Sequence, residues 1–260
     1  MQEHPQGKQP EWRYQWEQFR DDEPFLFWDW IQPRTLEDFK DKRILDAGCG
    51  PAHHITLYVD HVAHVTGLDL NTADLAQEVL GNHPSVSFVE ADIVQYQADE
   101  PYDVVYSLGV VDHTDDPDRT FDALYRLTRS GGLTIVWVWS EEGNSFMRYV
   151  VEPLRKRYLQ NRSRGFVEGM ARLLTAVLYL FVYSIYLLPL RFLPYYEYFQ
   201  NFRRLTFERN ALNIFDKLNS PYTEFISYER MQRWFDDARY QDISITSYRG
   251  VSWRGSGVKK

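Results

Sequence analysis

Three aspartates close three successive apolar runs: Asp46 in RILDAG (43–48), Asp69 in HVTGLDL (64–70) and Asp92 in VSFVEADI (86–93). Between the first two lies a small-residue loop, Leu45-Asp46-Ala47-Gly48-Cys49-Gly50-Pro51-Ala52. Glycines after a strand let a ligand lie against bare backbone beside a helix N-terminus. A dinucleotide fingerprint would need a third glycine where His53 stands. Asp46 would also repel a pyrophosphate, whereas it would attract an ammonium or a sulfonium. Asp69 follows Gly48 by 21 residues, the interval at which an acid grips a ribose diol. Asp92 is placed to read an exocyclic amine. Three carboxylates at three strand ends therefore make a site for a cationic nucleoside.

The elements that must position these groups read as strands alternating with helices. Strands are expected at 43–48, 64–70, 86–93, 102–110 and 133–139. A helix is expected from Pro51 to about Val59. A second is expected from an Asn71 N-cap, with Asp74 at its third position, to Gly81. A third runs from Asp116-Pro117 to Gly131-Gly132. An amphipathic helix over 227–240, with Met231, Trp234 and Phe235 on one face, precedes two strands at 242–250 and 251–258 that turn at Gly250. The alternation predicts an α/β fold: a Rossmann-like, doubly wound, mostly parallel seven-stranded sheet with a helical cap insertion. The expected domains are an aromatic N-terminal flap (1–42), the Rossmann-like core (43–140), the cap (141–226) and the last helix and two strands of the core (227–260).

The ordered set ILDAGCG, GLDL, EADI, DVVYSLGVVDHTDDP and SGGLTIVWV resembles the class I S-adenosylmethionine-dependent methyltransferases. The resemblance covers about residues 40–140 and is closest to the small-molecule branch related to quinone-biosynthesis methyltransferases. It implies S-adenosyl-L-methionine as cofactor, with Gly48 and Gly50 backing its methionine part and Asp46 orienting its amino group through water. Asp69 would take the ribose hydroxyls and Leu70 would pack on adenine. Asp92 and Ile93 would meet the adenine edge, and Ser107 and Leu108 would floor the methyl group. The family's loop carries a third glycine where this chain has Ala52. The implied function is direct in-line methyl transfer to a small, hydrophobic or lipid-like acceptor. The alternative is a methyltransferase fold that binds the nucleoside without turning it over.

Displacement at a sulfonium needs alignment more than acid–base help, so a base is required only for a protonated acceptor. His113, just past the fourth strand with Asp112 beside it, is the candidate base; a loop role is its structural alternative. His53, His54, His61 and His64 do not have a metal-binding arrangement, so no metal is expected. Ser107-Leu108-Gly109-Val110 stands where amino-directed adenine methyltransferases carry an Asp/Asn-Pro-Pro-aromatic motif, and no nucleic-acid partner is expected.

The 260 residues carry 44% hydrophobic and 25% charged side chains and a net charge of −8, ordinary values for a globular chain. One cysteine, Cys49, excludes an internal disulfide. The polar start MQEHPQGKQP has no signal-like apolar region, so a cytoplasmic location is expected. Trp12, Trp16 and Phe19 have helical spacing in the aromatic segment before residue 43. The mean charge hides two parts: residues 148–209 hold 11 Lys/Arg and 4 Asp/Glu, a net of +7, and the rest carries −15. Within the basic part, 173–190 has no charge. Thr175, Tyr179, Tyr183 and Tyr186 are expected on one face of its helix. A single membrane span is excluded if 227–260 returns to the same sheet. The readings left are a helix buried under the cap or in a homodimer, a wall of an acceptor tunnel, and an interfacial membrane contact. Arg155, Lys156, Arg157, Arg203 and Arg204 are expected at the tunnel mouth, beside a lipid-like or anionic acceptor.

Overall fold

Strand side chains alternate between two faces, and this alternation builds two cores around one sheet. In the computed structural model, which describes residues 9–18, 23–159, 162–219 and 223–260, the strands are β1 (Arg43–Ala47), β2 (His64–Asp69), β3 (Val86–Glu90), β4 (Tyr102–Leu108), β5 (Thr128–Trp139), β6 (Tyr240–Tyr248) and β7 (Ser252–Lys259). They form one seven-stranded sheet in the order β3-β2-β1-β4-β5-β7-β6. All pairings are parallel except β5 with β7 and β7 with β6. The strand order reverses between β1 and β4, which makes that edge the switch point.

The helices are α1 (Gln9–Gln18), α2 (Pro24–Ile31), α3 (Leu36–Phe39), α4 (Ala73–Leu80), α5 (Pro117–Leu127), α6 (Glu152–Leu154), α7 (Arg164–Val182), α8 (Tyr196–Phe202), α9 (Phe207–Asn219) and α10 (Tyr228–Trp234). The chain divides into two units. One holds the sheet: 22–140, 223–248 and 252–260. The other holds 1–21, 141–222 and 249–251.

In the sheet unit, Phe27 and Ile31 of α2 are buried with Phe39, Ile44, Tyr58, Val65, Tyr106 and Ile135 on one face. Phe121 and Leu124 of α5, with Met231 and Trp234 of α10, fill the other face against Leu45, Val105 and Val136. Asp116 caps α5 by accepting from the Arg119 N–H at 3.0 Å, with Pro117 at the first position. Ser227 caps α10 by accepting from the Arg230 N–H.

Several local expectations are corrected. No α-helix follows the glycine loop; two 3-10 turns, Ile55–Leu57 and Val59–His61, occupy that stretch. Ala52 explains this, because its φ of +64° is left-handed and cannot continue a right-handed helix. The α4 N-cap is Thr72 rather than Asn71, because the Asn71 N–H is held back by the Asp69 carboxylate at 3.1 Å. β3 ends at Glu90, and the chain then turns as Asp92 accepts from the Val94 N–H at 2.6 Å. α5 stops at Leu127 instead of Gly131. The Thr128 hydroxyl donates to the Leu124 carbonyl at 2.8 Å, and β5 begins there. β4 ends at Leu108. α10 is shorter than expected, β6 starts two residues early, and Gly250 occupies the turn at φ +68°.

In the helical unit, α7 and α9 pack through Val167, Ala171, Leu212, Phe215 and Leu218, with Tyr14 of α1 against them. Two π-helical turns, Met147–Val151 and Arg155–Leu159, flank α6. The uncharged stretch 173–190 is not one helix. α7 ends at Val182, Tyr183 is its C-cap and Tyr186 lies in a 3-10 turn, so only Thr175 and Tyr179 of the expected four-residue face lie on it. Just past this end, Arg203 donates to the carbonyls of Val182 and Tyr186. Phe19 and residues 1–8 lie outside the described residues; Trp12 and Trp16 lie on α1.

Candidate active site at the carboxyl ends of the central strands

The glycine loop leaves β1 at the switch point, and its shape comes from backbone conformations that few residues tolerate. Gly48 and Gly50 have φ of +91° and +52°, with Ala52 also left-handed. A Cβ added to Gly48 would lie 2.4 Å from Cγ2 of Val110, so only bare backbone fits beside that side chain. The N–H groups of Gly48 and Cys49 both donate to the Leu68 carbonyl, at 2.7 and 3.1 Å, which ties the loop across to β2.

Asp69 closes β2 and anchors the loop again. Its Oδ2 accepts from the Gly50 N–H at 3.0 Å and its Oδ1 from the Asn71 N–H at 3.1 Å. Each oxygen has a second lone pair, which is what a ribose diol would use. Leu70 beside it is exposed, and Ile93 is buried.

Asp46 is buried, and its register partner on β4 is Tyr106. The Tyr106 hydroxyl donates to Asp46 Oδ2 at 2.6 Å, and the Tyr58 hydroxyl is 2.6 Å from that of Tyr106. Tyr106 has one proton, which it gives to the carboxylate, so Tyr58 is the donor to Tyr106. Burial pushes Asp46 up from 3.8 to about 7. The Tyr106 hydrogen bond works against that rise, and the charge of Asp69 adds to it. Burial, then the Asp46 charge, raises both tyrosines well above their ordinary range. Phe27 stacks on Tyr58 at 5.6 Å and closes the apolar side of this relay. Neither tyrosine was a predicted site residue. The signal that would have found Tyr106 is its place on β4, directly across from Asp46.

The Ser107 hydroxyl is buried and donates to the Ala47 carbonyl at 2.7 Å, so it braces β4 against β1. Leu108 follows it at the strand end. Asp112 and His113 lie in a 3-10 turn after β4. The Asp112 carboxylate is fully buried and accepts from the Trp139 N–H at 3.0 Å, while its carbonyl accepts from the Glu224 N–H at 2.8 Å. Asp112 thus ties three segments together. His113 is oriented by Thr223, whose hydroxyl lies 3.2 Å from Nδ1; its Nε2 is 4.0 Å from the Asp112 carboxylate. Of the other histidines, His54 lies against the rings of Phe27 and Trp30, and His64 meets the Ser87 hydroxyl at 3.0 Å. Burial pushes the Cys49 thiol up, followed by the charges of Asp46 and Asp69, so it stays protonated.

The structure therefore brings Asp46, the Gly48–Gly50 loop and Asp69 together by direct hydrogen bonds or register. Asp92 stands two residues beyond β3 on its own turn. The expected cationic mouth is not assembled as such. Arg155 is buried on Glu152 at 2.6 Å, Lys156 shares that carboxylate, and Arg203 is engaged at the end of α7.

Part of the chain is similar to known proteins. Residues 45–136 match the family described as "Methyltransferase domain". A tRNA U34 carboxymethyltransferase of Klebsiella pneumoniae is 30% identical over 172 residues, covering 63% of this chain and 46% of that protein. A ubiquinone biosynthesis O-methyltransferase of Pseudomonas entomophila is 33% identical over 110 residues, covering 40% and 46%. The chain thus spans about half the length of these curated relatives. A solved Thermotoga maritima structure, described as an S-adenosylmethionine-dependent methyltransferase and possible histamine N-methyltransferase, superposes with a TM-score of 0.52 at 13% identity. The match covers 98% of this chain and 95% of that one, which shows the shared fold.

Proposed function

We propose that this chain, whose residues 45–136 match the methyltransferase domain family, binds S-adenosylmethionine at the β1–β4 switch point and methylates a small hydrophobic acceptor. The observation that carries the cofactor reading is the coupled loop. Asp69 holds the Gly50 N–H and keeps lone pairs for a diol, while buried Asp46 stands across the same loop. When bound, the sulfonium supplies a methyl carbon that an acceptor lone pair can attack as the carbon–sulfur bond breaks, its electron pair going to sulfur.

The residues of this chain do the rest. Asp46 attracts the ammonium of the methionine part, and Gly48 and Gly50 admit that part against bare backbone. Asp69 orients the ribose. Leu70 and Ile93 cover adenine, and Asp92 receives its exocyclic amine. Ser107 and Leu108 form the floor. His113, steered by Thr223, is the group assigned to proton removal where the acceptor is a hydroxyl or a protonated amine. Asp112 is a positioning residue behind it.

The small-acceptor reading is supported by the quinone-pathway relative; the tRNA-modifying relative supports the rival class. Incubation with methyl-labelled S-adenosylmethionine and a panel of a phenolic quinone precursor, a mixed lipid extract and unmodified tRNA separates the two. Label is expected in the solvent-extractable small molecules and not in tRNA. Label entering tRNA would overturn the acceptor class. Cofactor binding without transfer to any acceptor would overturn the catalytic reading.

A further inference from the structure

α7 is apolar on two faces, of which one is buried and the other exposed among the described residues. Val167, Ala171, Thr175 and Val182 are buried, and the first two pack with Leu212, Phe215 and Leu218. Phe166, Leu173, Val177 and Leu180 recur at intervals of seven, four and three residues, which places them on one opposite stripe. Their exposures are 47%, 60%, 43% and 71%, and Leu174 and Phe181 at the stripe's edge are also exposed. Beyond the helix the apolar surface continues through Ile185, Leu187, Leu188 and Phe192, the last 81% exposed. A contiguous patch of this kind marks an interaction surface rather than scattered surface leucines.

The charge around the stripe decides what covers it. Residues 148–209 carry 11 Lys/Arg against 4 Asp/Glu, a net of +7. Arg162 lies over the Phe166 ring at 5.6 Å just before the stripe, and exposed Arg191 follows it. Arg157 lies over the Tyr158 ring at 5.7 Å. The charged pair midway along α7, Arg172 and Glu168, sits off the stripe, where Arg172 meets Glu208 of α9 at 2.5 Å. A second copy of this chain would bring the arginines at the two ends of the stripe, Arg162 and Arg191, toward their like-charged counterparts, which is unfavourable. An anionic bilayer complements both the apolar stripe and the cations at its rim.

α7 is the one helix among the described residues long and apolar enough to cross a membrane, with a mean hydropathy of 1.6 and 22% of that window buried. A span is inconsistent with the topology, because β1–β5 before it and β6–β7 after it belong to one sheet. We propose that the exposed stripe of α7, with the apolar turns that follow it, lies in the interface of an anionic lipid bilayer. Contact of α7 with lipid requires neither a particular acceptor class nor a bound cofactor.

Co-sedimentation of the full chain with phosphatidylcholine vesicles, and with vesicles containing one quarter phosphatidylglycerol, tests it. Binding is expected on the anionic vesicles, weaker on the neutral ones, and reduced by added salt. Leu173→Asp with Leu180→Asp puts two charges on exposed positions and is expected to lower partitioning by about tenfold or more, with the far-ultraviolet circular dichroism unchanged. Arg162→Glu with Arg191→Glu, which leaves the stripe intact, should abolish the preference for anionic vesicles. Absence of binding by the wild type, or equal partitioning of the leucine variant, would overturn the proposal. So would a dimer in light scattering that the leucine variant dissolves while vesicles recruit neither protein.

Discussion

Gly48→Ala is expected to destabilise the protein by about 2–5 kcal/mol, combining a strained left-handed backbone with overpacking. The position has φ +91°, and the new methyl would meet Val110 at 2.4, 2.7 and 2.9 Å. Thermal or urea unfolding measures the loss. Val110→Ala placed on top should return the packing part and leave the backbone part, so the double variant should lie between the single variant and the wild type. An unfolding midpoint for Gly48→Ala equal to that of the wild type would show that the loop does not need its glycine.

The second large effect concerns Asp46 and has opposite signs for stability and for binding. Burial, partly offset by the Tyr106 hydrogen bond and reinforced by Asp69, raises this carboxyl to about 7 from 3.8 in an exposed chain. The folded state therefore holds a proton that the unfolded state has already released. Stability is greatest below about pH 4 and falls as pH rises toward 7, a contribution of up to about 4 kcal/mol, and levels off above. Between pH 5.5 and pH 8 the expected loss from this group is about 2 kcal/mol. Asp46→Asn should remove that loss, making the variant the more stable protein at pH 8. Binding should run the other way. Only ionised Asp46 attracts an ammonium, so wild-type affinity for S-adenosylmethionine should rise between pH 6 and pH 8. Asp46→Asn should flatten that profile and weaken binding at pH 8 by about tenfold. Urea denaturation and calorimetry at the two pH values check both halves. A wild-type stability as steep as the variant's would place the proton elsewhere.

These expectations also show which parts of the fold were legible in the residues. The strand runs ending in Asp46 and Asp69, and the Asp116-Pro117 start of α5, carry local signals strong enough to read. Sheet order follows from them through handedness. The failures fall at element ends, where contacts from elsewhere in the chain compete with the regular backbone pattern. Pro51 reads as a helix start, yet Ala52 next to it is left-handed, in a loop tied to β2, and no α-helix follows. Asn71 reads as a cap, but Asp69 takes its N–H first. Tyr58 and Tyr106 carried no motif, since their role exists only once β4 is laid beside β1 and the Tyr58 turn folds under α2. Asp112 looked like a partner for His113, and only the tertiary contacts reveal a carboxylate holding the backbone of β5.

The apolar stretch 173–190 is legible in the sequence as a buried helix, a tunnel wall or an interfacial contact, without a choice among them. Its composition does not say where the helix stops. Its buried face is set by Leu212, Phe215 and Leu218 of α9, which come more than thirty residues later than the helix start.

The most direct test of the central claim is a calorimetric titration of S-adenosylmethionine into the wild-type chain and into Asp69→Ala, at pH 8. One site per chain is expected for the wild type. Asp69→Ala should bind about 10–100-fold more weakly, because it loses charge-assisted hydrogen bonds to the ribose and the tie to the Gly50 N–H. Equal affinity in the two proteins, or no binding by a folded wild-type chain, would contradict a cofactor site at the ends of β1 and β2.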